Sequence, residues 1–175
     1  DIPLFMTTNY GVYIVSEMLR LRIGNQAFFA TLEALANQQY LSTTMLQNEF
    51  EKYSGLSLDN FFDFWIHGGF IPSVEITLHD LDIPLGDKPQ SGVLGCVQSD
   101  VPFGIFEMPL RIQLTNDADQ GSVQDVFVAI SKGQGTFIIQ NENSKSIDIT
   151  VDPLGLSLIR KAKVSKGKPK QSCIE

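Results

Sequence analysis

The stretch FEKYSGLSLDNFFDFWIHGGFIPSVEITLH, residues 50–79, changes its hydrophobic period midway, and that change decides the fold. Up to Ile66 the apolar residues follow helical spacing: Phe50 and Tyr53, then Leu58, Phe61, Phe62, Phe64 and Trp65. Gly55 ends one predicted helix, because glycine takes a left-handed cap without a Cβ penalty, and Ser57 caps the next, predicted over residues 58–66. At His67-Gly68-Gly69 the pattern breaks, and Pro72 follows. Val74, Ile76 and Leu78 then alternate with Glu75, Thr77 and His79, the signature of a half-buried strand.

Upstream, Val12, Val15, Met18, Leu19, Arg22 and Ile23 share one helical face between Asn9 and Ile23, and Gly24 stands where a C-terminal cap belongs. Asn25 is the predicted cap of a second helix facing inward through Phe28, Leu32, Leu35 and Ala36. Thr44 and Gln47 form a capping-box pattern for a third, with Met45, Leu46, Phe50 and Tyr53 as its buried side. Downstream, Phe106, Met108, Leu110, Ile112 and Leu114 make the longest clean alternation. Pro109 within it, having no N–H to donate, predicts an edge or a bulge. Polar turns at residues 116–121, 132–135 and 141–145 separate further alternating runs at Val126, Val128 and Ile130, at Phe137 to Ile139, and at Ile147, Ile149 and Val151. Helices first and short strands after them predict an α+β chain: an N-terminal helical segment followed by an antiparallel β-sandwich. The expected boundaries are 1–69 for the helices, 70–160 for the sandwich and 161–175 for a basic, disordered tail.

Composition sets outer limits. A chain of 175 residues with 43% hydrophobic and 19% charged residues has enough apolar surface for one large core or two small ones. No apolar run approaches the roughly 18–20 residues that cross a bilayer. The net charge of −7 is uneven: from Arg160 onward six basic residues and one acid give +5, leaving −12 on the rest. Such a tail can touch anionic lipid or nucleic acid, but a solvated end is the plainer reading, and no interleaving of bases with aromatics marks a nucleic-acid platform. Two cysteines, Cys96 in a strand and Cys173 in the tail, make no disulfide framework and leave the compartment open. The chain begins at Asp1, which reads as a cut.

Catalytic signatures are missing from the chain as given. H-E-x-x-H is absent, so no helix presents two imidazoles on one face with a base between them. His67 and His79 stand twelve positions apart, the first expected to satisfy a turn and the second to face solvent. G-x-S-x-G and the phosphate loop are absent too. Asp80/Asp82 and Asp117/Asp119 lack the Gly and Glu offsets of a calcium loop and read as turn formers. No metal ligand and no cofactor-binding residue is expected in this chain.

Certain residues nevertheless resemble a known family. Met18-Leu19-Arg20 followed by Gly24-Asn25-Gln26-Ala27-Phe28 resembles the helix pair after the active site of alanyl aminopeptidase-type zinc peptidases. Phe50-Glu51, Ser54-Gly55, Leu58 and Phe61-Phe62-Asp63-Phe64-Trp65 resemble that family's F-E-x-x-S-G-x-x-L-x-x-F-F-x-x-W run. Gly69-Phe70-Ile71-Pro72 is similar to its exit into a β domain, and Ile149-Thr150-Val151-Asp152-Pro153 to that domain's closing turn. The resemblance implies that residues 1–69 are the last helices of a thermolysin-like catalytic domain. It implies an upstream H-E-x-x-H and a further Glu that hold zinc in the parent protein, where zinc activates water, a Glu acts as base and a Tyr stabilises the oxyanion. The family's Tyr stands in Y-x-K-G nine residues before the Met of the M-L-R stretch. Here that count reaches Asn9, so Tyr10 is the candidate at a one-residue offset, Tyr13 the weaker one, and no K-G follows either.

Two readings follow. In the first, the chain is a supporting C-terminal part of an aminopeptidase that removes N-terminal residues from peptides, its partner being the missing upstream part. In the alternative, the parent is a non-catalytic relative whose helices and sandwich form a scaffold or interaction module. Four short helices without their neighbours are expected to leave an apolar face open, which invites self-association.

Overall fold

The computed structural model describes residues 9–85, 88–102, 104–116, 119–141, 148–152, 155 and 158–167. The chain divides into two compact units, Asp1–Phe70 and Ile71–Glu175. The fold is α+β, with helices in the first unit and a mixed sheet in the second. No helix among the described residues is long and apolar enough to cross a membrane.

The helical unit contains α1 (Asn9–Ile23), α2 (Asn25–Leu35), α3 (Thr43–Ser54) and α4 (Asp59–Phe61), the last running into a π-helix over Phe62–Gly68. α1 buries Ile14, Val15, Met18 and Leu19, while Val12, expected on the same face, is exposed. Gly24 takes φ 83° and ψ 158°, a positive φ but not the left-handed helical cap. Asn25 makes no side-chain cap for α2; its Oδ1 accepts from Arg20 Nη1 instead. α3 starts one residue before the expected capping box, with Ser42 as N-cap accepting the Met45 N–H at 3.2 Å. Gly55 closes α3 in the left-handed conformation, φ 70°, as its position predicts.

The aromatic run after Ser57 is not one regular α-helix. A single α-turn passes at Phe62 into i→i+5 geometry, a rare form that alters the helical register locally. Phe61, Phe62, Phe64 and Trp65 are all buried there, with Phe64 and Trp65 edge to face at 4.7 Å between centroids. Full burial of each Phe contributes about 1.5–3 kcal/mol before entropy is counted.

The second unit is a seven-stranded sheet: β1 (Ser73–Leu85), β2 (Lys88–Ser99), β3 (Ile105–Asn116), β4 (Asp119–Ser131), β5 (Gln134–Asn141), β6 (Asp148–Val151) and β7 (Lys161–Lys166), in the order β6-β3-β4-β5-β2-β1-β7. The sheet is mixed, which corrects the expectation of a purely antiparallel one. β7 pairs parallel to β1 because the Arg160 N–H bonds the Pro72 carbonyl at 2.8 Å, so both strands start from the same end. Residues 161–166 are therefore a strand and not a solvated end; residues 168–175 lie outside the described residues.

Strand β2 was not legible as a run of alternation, since Pro89, Gly92 and Gly95 interrupt it. It is nevertheless central, antiparallel to both β1 and β5. Pro109 pairs with Phe127, in a part of β3 where β6 has not yet begun pairing, so its missing N–H costs no ladder bond on that side. The register irregularity of β3 falls later, between Leu114 and Asn116. β4 and β5 join through Lys132-Gly133, both at positive φ (52° and 78°), as a two-residue hairpin requires. Of the other expected turns, Asp117, Ala118, residues 142–147 and Pro153 lie outside the described residues.

The buried face of the sheet carries Val74, Ile76 and Leu78 of β1, Val93 and Val97 of β2, Phe106, Met108 and Leu110 of β3, Val128 and Ile130 of β4, and Phe137 and Ile139 of β5. Gly95 sits opposite Phe137, and a Cβ at Gly95 would lie 2.1 Å from the ring's Cζ. The missing side chain is thus the space that the ring fills. Gly95→Ala is expected to destabilise the sheet unit by about 1–3 kcal/mol, the usual cost of overpacking, in chemical denaturation. Adding Phe137→Leu should recover part of that loss, and two simply additive losses would refute the steric account.

Candidate functional site

Most of the residues that carry the family resemblance lie in the helical unit, where several have a structural role; Ile71, Pro72 and residues 149–152 lie in the sheet unit. Arg20 donates through Nε and Nη2 to both oxygens of Glu17, at 2.7 and 2.5 Å, and through Nη1 to Asn25. One guanidinium thereby ties the last turn of α1 to the first residue of α2. Phe28 of α2 stacks on Phe50 of α3, centroids 5.5 Å apart. Thr31, fully buried, donates from Oγ1 to the Ala27 carbonyl at 2.9 Å.

Glu51 has the most consequential role. Its Oε1 accepts the Leu58 N–H at 2.7 Å and the Gln47 side-chain amide at 3.2 Å. Leu58 is the N-cap residue of α4 and has no side-chain cap of its own. Ser57, expected to cap this helix, donates instead to Asp59 Oδ2 at 3.1 Å, and Gln47 reaches Asp59 Oδ1 at 2.8 Å. The spacing F-E-x-x-S-G-x-x-L is thus explained physically: a helix end, a left-handed reversal and a carboxylate reaching back to the next helix. Sequence reasoning recorded Glu51 as part of a pattern but not as a cap; a carboxylate seven residues ahead of a helix start was the available signal.

Tyr10 is the second residue of α1, so Tyr10, Tyr13 and Met18 stand on one continuous helix. The side chain of Tyr10 falls outside the described residues, and the ring of Tyr13 is exposed. His67 is exposed in the π-helix. His79 is buried, 4% exposed, which corrects the expectation that it faces solvent. Alternation placed it on the outer side of β1, but Gly167 lies alongside, and its carbonyl accepts from His79 Nδ1. Nε2 has no hydrogen-bond partner among the described residues.

Among the described residues no three His, Cys, Asp or Glu side chains gather where a metal ion could be held. Cys96 is disulfide-bonded and so supplies no thiolate.

The sheet unit adds an open cleft of about 360 Å³ lined by Ser73, Glu75, Gln98, Asp100, Lys161 and Lys163 among others. Its charges already serve the fold. Asp100 Oδ1 accepts the Ser73 N–H at 2.7 Å, and Lys163 Nζ bonds Glu75 at 2.9 Å. Glu75 holds the Lys163 ammonium above its ordinary range, chiefly by that hydrogen bond and then by charge attraction. A raised lysine favours the folded state at all pH values below that range and loses the effect only in strong alkali. The cleft presents neither an activated nucleophile nor a paired acid and base.

No protein-family model matches the chain, and no curated protein matches it. Among solved structures it is similar to aminopeptidase A of Legionella pneumophila, crystallised in complex with aspartic acid, at 15% sequence identity and a TM-score of 0.62. The likeness covers 89% of this chain and 17% of that one, so the chain spans a minor part of its neighbour's length. At this identity the likeness speaks for the fold alone and not for an activity.

Glu51→Ala is expected to destabilise the helical unit by about 1–3 kcal/mol, because it leaves the Leu58 N–H without an acceptor. Glu51→Gln, which keeps an oxygen in reach, should lose less. Equal losses in the two variants, read by chemical denaturation, would refute the capping role.

Proposed function

We propose that this chain is the supporting C-terminal part of a zinc aminopeptidase-like protein. On this reading residues 1–69 are the last helices of a thermolysin-like catalytic domain and residues 70–160 form a β-sandwich that follows it. The observation that carries the proposal is the structural likeness to an aminopeptidase over most of this chain, and the Phe50–Trp65 run adds its resemblance at fixed offsets. The sandwich is supported by the single Ser131↔Gln134 pair joining β4 to β5. On this reading β6-β3-β4 and β5-β2-β1-β7 would part beyond that hairpin as the two layers of the sandwich.

The zinc, the water it activates and the general base belong on this reading to upstream polypeptide, and Tyr10 would supply an oxyanion hydrogen bond to the parent's active site. This chain contributes framework. The expected result with purified chain is no stoichiometric zinc after dialysis against the metal and no release of fluorophore from aminoacyl reporters. One tightly held zinc per chain, or turnover, would overturn the proposal.

A second reading has one observation in its favour: Tyr10 is displaced by one position from the family's spacing, and Gly11-Val12 or Val12-Tyr13 stands where K-G would be. A non-catalytic relative used as a scaffold would tolerate both changes. H-E-x-x-H in the parent's upstream sequence supports the enzyme, and its absence supports the scaffold.

The exposed side chains of the helical unit suit either parent. Phe29 and Leu32 of α2, Tyr40 and Leu41 in the α2–α3 connection, and Met45 and Tyr53 of α3 are all at least 42% exposed. On this proposal they dock on the upstream part of the parent, and in the isolated chain on a second copy. Sedimentation should show association that Phe29→Glu with Leu32→Glu reduces at least tenfold. A clean monomer at high concentration would count against the docking surface.

A further inference from the structure

We propose that β7 is a docking edge for a partner strand: it takes up an extended, acidic segment of another polypeptide by strand addition to the sheet, with carboxylates of that segment opposite Lys161 and Lys163. The inference rests on the sheet unit alone and is independent of the peptidase reading.

β7 is the outermost strand of the sheet and, among the described residues, pairs with β1 only. A strand paired on one side turns its remaining backbone N–H and C=O groups outward, where they form a template for another chain. This edge is also bare on both faces. Lys161, Ala162, Lys163, Val164 and Lys166 are exposed, and Ser165 is half-buried. Edge strands are often blunted by a proline or a bulge. β7 holds no proline, and its register with β1 runs unbroken from Ser73↔Lys161 to Leu78↔Lys166.

The side chains define what an added strand must carry. Residues opposite one another in a ladder share a face, so Ala162 and Val164 lie with Val74 and Ile76 on the buried side. Lys161 and Lys163 lie with Ser73 and Glu75 on the outer one. Ile76 is 0% exposed, but Val164 opposite it is 37% exposed. The apolar row ends there uncovered, and an apolar residue of an added strand would extend it. On the outer face charge alternates by row: Glu75 of β1 meets Lys163 of β7 at 2.9 Å. The next row outward, where acids would continue the alternation, is the position of the added strand.

Like charge disfavours the simplest occupant, a second β7, because pairing two copies sets lysines against lysines. An acidic strand removes that objection: the ammonium groups give up water but gain carboxylates opposite them. Strand addition draws affinity from main-chain bonds and selectivity from alternate side chains, and β7 offers both. A nucleic acid would meet the lysines, yet it has no series of N–H and C=O groups to continue the ladder and no apolar row to cover Val164. A polypeptide is the occupant that fits all three features.

The probe is a fluorescein-labelled peptide of about eight residues, alternating glutamate and valine, added to the full chain. Anisotropy should show saturable binding that weakens with salt, and hydrogen exchange of residues 161–166 should slow on the order of tenfold in the complex. Replacing each valine by proline removes N–H groups from the ladder and should abolish binding. Lys161→Glu with Lys163→Glu should weaken binding of the acidic peptide on the order of tenfold and create binding of a lysine–valine peptide, an exchange of preference that a lost fold cannot produce. Should Lys163→Glu unseat β7 by opposing Glu75, Lys161→Glu alone keeps that pair and should still weaken the acidic peptide several-fold. No binding up to about 1 mM peptide would overturn the proposal. So would unchanged exchange of residues 161–166 in the complex, or equal binding of the proline peptide or of a single-stranded oligonucleotide of the same charge.

Discussion

The second half of the helical unit depends on one carboxylate. Glu51 is in the last turn of α3, and its oxygen at 2.7 Å from the Leu58 nitrogen fixes where the chain may turn again into helix. A helix start leaves several N–H groups unpaired, and an unpaired one beside a residue only 1% exposed would be costly. Gly55, in the left-handed conformation, lets the backbone double back within a few residues so that the carboxylate can reach. Everything that follows depends on this registration. Leu58, Phe61, Phe62, Phe64 and Trp65 enter the core in the next eight positions, and a slip of one residue would turn each ring about 100° out of place.

α1 and most strands were legible because their burial is periodic; of the faces expected to be inward on α2 and α3, only Leu35 and Phe50 are buried, while Leu32, Ala36, Met45 and Tyr53 are exposed. α1 was read over its observed span, and the alternations at Val74 to Leu78 and Phe106 to Leu114 are strands. Caps were less legible: Ser42, not the Thr44 box, caps α3, because neighbouring hydroxyls compete and tertiary position selects among them. β2 escaped because its fit to the sheet is made by absence. Gly95 is read as a breaker in isolation, yet in the sheet it is the hollow that receives the Phe137 ring. β7 escaped because its lysines mask a strand with only one alternating apolar pair, Ala162 and Val164. Strand status there comes from pairing with β1, a long-range contact that local composition does not encode.

For the candidate site the balance differs. The residues that carry the family resemblance were all identified from the sequence, but their roles required geometry. Arg20 bridges α1 and α2, Phe28 and Phe50 stack, and Glu51 caps α4. Fixed offsets in such a run register helices, so the run speaks for architecture and is silent about turnover. Tyr10 is the opposite case. On the proposed reading it must be placed within fractions of an ångström of a transition state, and spacing from Met18 along a helix does not by itself set that placement. His79 shows the limit of alternation: the period assigned its face, but whether that face meets water was decided by the distant Gly167.

The charge asymmetry acquires a different meaning once β7 is placed. A basic terminus on an acidic body suggests a polyanion ligand only while the terminus is separate from the body. In the fold Lys163 bonds Glu75, and the strand runs beside β1, which also carries exposed Asp80. Charges far apart in sequence thus compensate one another in space, and the surface that remains is mixed in sign. β7 is also the outermost strand of the sheet, where an uncovered backbone would recruit another chain. Exposed lysines at 161, 163 and 166 oppose that pairing, since each would have to be desolvated or brought against a like charge in a copy of itself. The lysines at 161, 163 and 166 therefore also meet the requirements of an edge strand.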